Sequence, residues 1–194
     1  MGVYNVHERL LPVKDGEVGA LIDALASGEG DRLWPGAAWA PMEFDRPLGP
    51  GAVGGHGPVR YTIAGYAPGR WIRFEFTGPR GFHGFHELAV LPAGQGRTRL
   101  HHTLAMAPRG VARLTWPLAW RPLHDAVLED GLDRAELACT GTVRRPARWS
   151  PYVRLLRALA RTAARRNASR PRRDEHGGGG LRQGGRFRRR SARP

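Results

Sequence analysis

Cysteine is nearly absent from this 194-residue chain, where Cys139 stands alone. One thiol excludes an internal disulfide and a cysteine-based zinc site. It suits a reducing compartment. Lysine is also reduced to a single residue, Lys14, so almost all of the 31 basic side chains are arginine. No apolar stretch approaches the roughly 18 residues that a membrane-spanning helix needs. Residues 1–9 carry no basic segment followed by an apolar run, so a secretory signal is not expected. The reading is a soluble, cytoplasmic protein.

Motifs that fix a chemistry are missing as well. No Gly-x-Gly-x-x-Gly lies between a strand and a helix, and no Gly-x-Ser-x-Gly elbow or Walker sequence occurs. No cofactor is expected. No His-x-His or His-Glu-x-x-His spacing is present, and His101 and His102 are neighbours on one predicted strand, hence on opposite faces, so no metal site is expected either. Acidic residues are scarce at one end only. Residues 1–142 hold 14 Lys and Arg against 15 Asp and Glu, a net of −1, whereas residues 143–194 hold 17 Arg against 2 acids, a net of +15. The overall charge of +14 therefore belongs to an appendage, and the body lacks the basic face of a nucleic-acid-binding domain.

What is present has a legible order. Val3 to Pro12 alternates as a strand. Asp15 is placed to cap a short helix through Val18, Leu21, Ile22 and Leu25. A connection over residues 27–38 follows, with one helical turn expected around Leu33 and Trp34. Strands are predicted over Trp39–Arg46, Pro58–Tyr66, Arg70–Thr77, Phe82–Leu91 and Arg97–Met106, punctuated by Gly/Pro turns. A seventh strand has room in the glycine-rich stretch 51–57. Pro117 and Pro122 bend the next helical segment, so the long helix begins near Pro122. On it His124, Leu128, Leu132 and Ala135 share a stripe, with Asp125, Glu129, Asp133 and Glu136 largely opposite. A meander followed by one long helix makes an α+β helix-grip: a curved antiparallel sheet of six or seven strands wrapped around the C-terminal helix, with a short helix after the first strand.

Three units follow from composition. Residues 1–142 form the ligand-binding domain, 143–166 a basic amphipathic helix, and 167–194 an Arg/Gly-rich tail without enough apolar content to order itself. The segment Arg182-Gln183-Gly184-Gly185-Arg186-Phe187-Arg188 resembles sequence-tolerant RNA-binding stretches, and the charge attracts any polyanion or anionic membrane surface. A merely solubilising extension fits equally well.

Strand parity points Tyr61, Ile63, Phe74 and Phe76 inward, with Leu88, Leu104 and Met106 from the later strands and Leu128 from the helix. These are the candidate ligand-binding residues. The same parity turns His86 and His102 inward toward His124, making them candidate catalytic groups. A satisfied core histidine is the competing reading for each. His56, within Gly54-Gly55-His56-Gly57, is assigned to a mouth loop. Trp34, Trp116 and Trp120 are read as packing of the bent helical approach against the sheet rim.

Pro41-Met42-Glu43-Phe44, Gly57-Pro58-Val59-Arg60-Tyr61-Thr62-Ile63 and Tyr66-Ala67-Pro68-Gly69-Arg70-Trp71-Ile72-Arg73-Phe74, followed by the long helix, resemble the SRPBCC superfamily of START-related, polyketide cyclase/dehydrase-like helix-grip proteins. The resemblance spans about residues 1–140 and implies a deep apolar cavity between sheet and helix. It transfers no catalytic motif. The function expected is binding of a small hydrophobic or aromatic molecule, extended to cyclase- or dehydratase-type turnover. Alternatives are a non-enzymatic carrier of lipid or other hydrophobic ligands, and a scaffold whose basic tail binds nucleic acid or membrane.

Overall fold

The computed structural model describes residues 2–168. β1 (Val3–Leu11) leads into α1 (Asp15–Asp23) and a 3₁₀ turn at Gly28–Gly30, before β2 (Met42–Phe44), β3 (Val53–His56), β4 (Val59–Ala67), β5 (Trp71–Gly78), β6 (Gly84–Pro92) and β7 (Thr98–Met106). They form one seven-stranded sheet in the order β1-β7-β6-β5-β4-β3-β2, antiparallel at every step. The possible seventh strand is β3. The segment read as Trp39–Arg46 is a strand over only three residues, because residues 36–40 turn back over the helix side of the sheet.

A short helix α2 (Ala112–Thr115) and a π turn (Trp116–Trp120) carry the chain onto α3 (Arg121–Thr140). Pro117 and Pro122 sit in first-turn positions of the π turn and of α3, where a missing amide donor costs no helical hydrogen bond. Gly141 ends α3 with φ of 74°, a left-handed conformation that glycine adopts without Cβ strain. Asp15 does not cap α1: Lys14 occupies that position without a side-chain bond, and Asp15 is the first helical residue.

The core divides in two along α3. Tyr61, Ile63, Ile72, Phe74, Leu100 and Leu132 belong to the larger cluster, while Phe82, Leu104, Met106, Ala112 and Trp116 close the far end. Trp116 and Trp120 both meet Phe82 edge-on, at 5.8 and 5.4 Å between ring centroids, as expected of rim packing. Trp34 lies elsewhere, against His56 at 4.5 Å.

The acidic side of α3 departs from expectation. Asp125, Glu129, Asp133 and Glu136 do not face solvent opposite the sheet; they meet Asn5, His7 and Arg9 on β1. Being the sheet edge, β1 leaves its inner face only partly covered, so polar residues there reach the helix and pair with it.

α4 (Pro151–Ala168) runs past the expected tail boundary at residue 167; residues 169–194 of the expected tail lie outside the described residues. Among the described side chains of α4, Val153 and Arg157 are buried, and the Arg157 guanidinium lies between the rings of Trp39 and Trp149, 4.3 and 3.6 Å from their centroids. Arg157 thus anchors α4 instead of extending its basic face. No helix among the described residues is long and apolar enough to cross a membrane.

Candidate functional site

Alternation on β6 and β7 and the stripe on α3 do bring the three chosen histidines together. His102 Nε2 lies 3.3 Å from His86 Nδ1, so one ring donates to the other, and the His102 and His124 rings are 5.2 Å apart. His86 also stacks on Phe74 and Phe76, at 4.8 and 5.3 Å, and meets Tyr61 edge-on at 5.0 Å. Tyr61 in turn contacts His56 at 6.1 Å. His56 is therefore the last residue of β3 in an aromatic contact, not part of a mouth loop.

Burial decides the charge of this column. Desolvation holds His86 and His102 far below the ordinary histidine range, with repulsion from His124 second. His56 is pushed down to about 4 by burial, then by His124 and Arg60. Burial also lowers His124, against a raising hydrogen bond from Asp125. All four rings are neutral near pH 7, able to donate from one nitrogen and accept at the other.

Several polar atoms of the column have no hydrogen-bond partner: Tyr61 Oη, His102 Nδ1 and His124 Nε2. Each such buried group costs about 1–3 kcal/mol. Of the three residues only His102 borders free space between the sheet and α3, where a polar-tipped ligand would reach it.

The free space is much smaller than a deep cavity. A void of about 50 Å³ lies among Leu25, Leu33, Phe74, Leu88, Leu128 and Leu132, with His86 and His102 on its wall. A cleft of about 380 Å³ opens outside it, between the 26–37 segment, Pro41, Met42 and Arg134. Trp34 and Met42 border both. Of the expected ligand-binding residues, Phe74, Leu88 and Leu128 line the inner void. Tyr61, Ile63, Phe76, Leu104 and Met106 border neither space; they are packed into the two core clusters. Aromatic side chains from neighbouring strands interlock and consume the volume that parity alone leaves open. Leu33, Trp34 and Pro35 close the void from the α3 side, and Gly131 admits them: a Cβ there would sit 3.4 Å from the Leu33 carbonyl oxygen.

Sequence reasoning missed the polar partners of His124. His7 from β1 donates or accepts at both nitrogens, 3.1 Å from Asp125 Oδ1 and 2.8 Å from Glu129 Oε1. His124 Nδ1 is 3.5 Å from the same Asp125 oxygen. Burial opposes charge on His7, but hydrogen bonds to Asp125 and Glu129 outweigh it and raise its affinity for a proton. Asp125 is held below the usual carboxylate range: burial would raise it, and the two histidine contacts prevail. The signal was the inward parity of His7 beside His102, its partner in the β1–β7 register.

No family model matches the sequence, and no curated protein matches it. Solved structures do. Truncated norcoclaurine synthase from Thalictrum flavum aligns with a TM-score of 0.53 at 16% identity, over 72% of this chain and 95% of its own. CalU16 from Micromonospora echinospora gives 0.53 at 15% identity, over 86% and 87%. A protein from Thermobifida fusca gives 0.51 at 13%, over 68% and 92%. Identities this low show the fold alone: the chain shares the α+β helix-grip architecture of these structures, the fold its resemblance implied.

Proposed function

We propose that the protein binds one small, uncharged hydrophobic or aromatic molecule between its sheet and α3. The carrying observation is the void walled by Phe74, Leu88, Leu128, His86 and His102, which shares Trp34 and Met42 with the outer cleft. Apolar walls with a few convergent polar groups are the usual makeup of a ligand pocket. About 50 Å³ holds no more than a water or two. Occupation by a ring therefore requires Leu33–Pro35 to move outward, extending the void into the cleft. A charged ligand would lose its hydration beside neutral histidines, so an uncharged molecule with a hydroxyl or carbonyl fits best. One structural neighbour, norcoclaurine synthase, has been solved with dopamine and hydroxybenzaldehyde, which supports single-ring aromatics as the first class to try.

The experiment is a titration of tryptophan fluorescence with phenol, 4-hydroxybenzaldehyde, indole and a medium-chain fatty acid. At least one aromatic should bind with unit stoichiometry, and Leu128→Trp, which fills the void, should abolish it. Absence of binding by every probe to the folded protein, or binding unchanged in Leu128→Trp, would sink the proposal.

Turnover of the bound molecule, of the cyclase or dehydratase type, is a second reading favoured by the unpartnered Nδ1 of neutral His102. In that case His102→Gln should remove turnover while leaving affinity within about threefold, because only the proton transfer is lost. Normal binding with no turnover in the native protein would indicate a carrier.

A further inference from the structure

We propose that His7, His124 and Asp125 form a binding site for a divalent transition-metal ion of the zinc type. One ligand atom from each lies within 4.8 Å of the others. The separations suit the ion. Four ligands at about 2.0–2.1 Å around zinc stand roughly 3.3 Å apart from each other. His7 Nε2 and His124 Nδ1 lie 3.1 and 3.5 Å from Asp125 Oδ1. Small side-chain adjustments within this triangle are enough to seat an ion.

Surrounding groups complete the arrangement. With His7 Nε2 on the metal, its Nδ1–H donates to Glu129 Oε1 at 2.8 Å, the outer carboxylate that fixes a metal-bound imidazole. Glu129 is held in turn by Arg9, 3.3 Å away. The Asn5 amide donates to Asp125 at 3.2 Å and helps hold that carboxylate in place. The site is reachable, since the His7, His124 and Asp125 side chains are 13, 17 and 34% exposed.

Charge favours a cation here. The α3 stripe brings four carboxylates, Asp125, Glu129, Asp133 and Glu136, against β1. Arg9 serves the last three and Arg144 also reaches Glu136. Arg121, the permanent cation nearest Asp125, stands 3.6 Å away and is 60% exposed. Otherwise the positive charge beside Asp125 comes only from histidine, which a metal ion replaces by displacing ring protons. Without metal the same geometry is a histidine clamped between two carboxylates. The three protein ligands leave a coordination position for water or a small donor, the pattern of a functional and not a closed structural site. The inference does not depend on the ligand pocket.

The test uses the full chain, stripped with a chelator and titrated with zinc by calorimetry and with cobalt(II) by visible absorption. One equivalent should bind, with ligand-field bands for cobalt and a raised thermal midpoint with zinc. Asp125→Asn and His7→Gln should each weaken binding at least tenfold. Glu129→Gln should weaken it by roughly 10–100-fold through loss of the outer carboxylate. His101→Gln and Cys139→Ser should leave it unchanged. Paramagnetic shifts from cobalt should fall on the rings of His7 and His124 in the unaltered protein, a readout that survives if a variant fails to fold. No stoichiometric binding would mean an ion pair only, and binding that persists in Asp125→Asn or shifts other histidines would also overturn the assignment.

Discussion

Replacing Tyr61 by Phe should stabilise the unliganded protein, an unusual result for a change at a completely buried position. Tyr61 is 0% exposed, so no solvent reaches its hydroxyl, and that hydroxyl has no partner. Its removal recovers about 1–3 kcal/mol of desolvation. The ring contacts with Phe74 at 5.1 Å and His86 at 5.0 Å do not involve the hydroxyl and are kept. The oxygen leaves a void worth about 0.3 kcal/mol at ~24 cal/mol per Å³. The balance is a gain of about 0.7–2.7 kcal/mol, or roughly 1–11 °C in thermal midpoint for a chain of this size. Urea unfolding with a fixed slope measures it directly. A loss of more than about 0.5 kcal/mol in the variant would refute the reasoning, because it would mean the hydroxyl is satisfied after all.

Three further outcomes follow from the same contacts. Arg157→Ala removes a guanidinium stacked on two tryptophans and bonded to the Ala38 carbonyl, so α4 should detach; limited proteolysis after its arginines should accelerate while the sheet stays protected, and Arg157→Lys should not rescue the docking. Below about pH 6.5 stability should fall on acidification, because His56 and His86 are buried neutral with lowered proton affinity and the unfolded chain binds protons the folded one refuses; above that pH His7, whose proton affinity is raised, acts in the opposite sense. The slope is limited to about 1.4 kcal/mol per pH unit for each histidine, and a pH titration of the urea midpoint that rises on acidification below about pH 6.5 would contradict it. Ending the chain after Ala168 deletes nine arginines and should weaken salt-sensitive binding to polyanions or anionic vesicles without moving the thermal midpoint, whereas ending it after Gly141 should remove nearly all of that binding; filter binding across a salt series decides it.

The fold was legible because its signals are local. Gly/Pro turns such as Ala67-Pro68-Gly69 separate strands whose parity held at the chosen inward positions from Tyr61 to Met106, although β4 is bulged after Ile63, and Pro122 and Gly141 bracket α3 with chemistry that suits a helix start and a helix end. Tertiary contacts overrode such cues elsewhere. Trp39 has good strand propensity, yet it leaves the sheet to donate to Asp130 and to face Arg157. Arg157 sits in a basic helix whose arginines suggest solvent, and it is nevertheless 6% exposed because Trp39 from a distant segment and Trp149 just before the helix enclose it. Neither partner is within helical reach in sequence, so periodicity carries no trace of the contact.

The site divides along the same line. Parity aimed His86 and His102 correctly, since a period of two determines which face a strand residue occupies. Volume was not encoded in that way. Direction says nothing about how far neighbouring rings interlock, and the stack of Tyr61, Phe74 and His86 reduces the expected cavity to a small void. The β1–α3 pairing was hidden for a different reason. An acidic stripe opposite an apolar one is ordinarily the solvated face of a helix. It faces inward here because the edge strand presents Asn5, His7 and Arg9 to it, more than a hundred residues earlier in the chain. Polar residues at alternate inward positions of an edge strand, and carboxylates spaced by three and four on a later helix, are each unremarkable alone. Their match in charge and number is the sequence trace of the pairing, and it becomes readable only once the strand order places β1 at the edge.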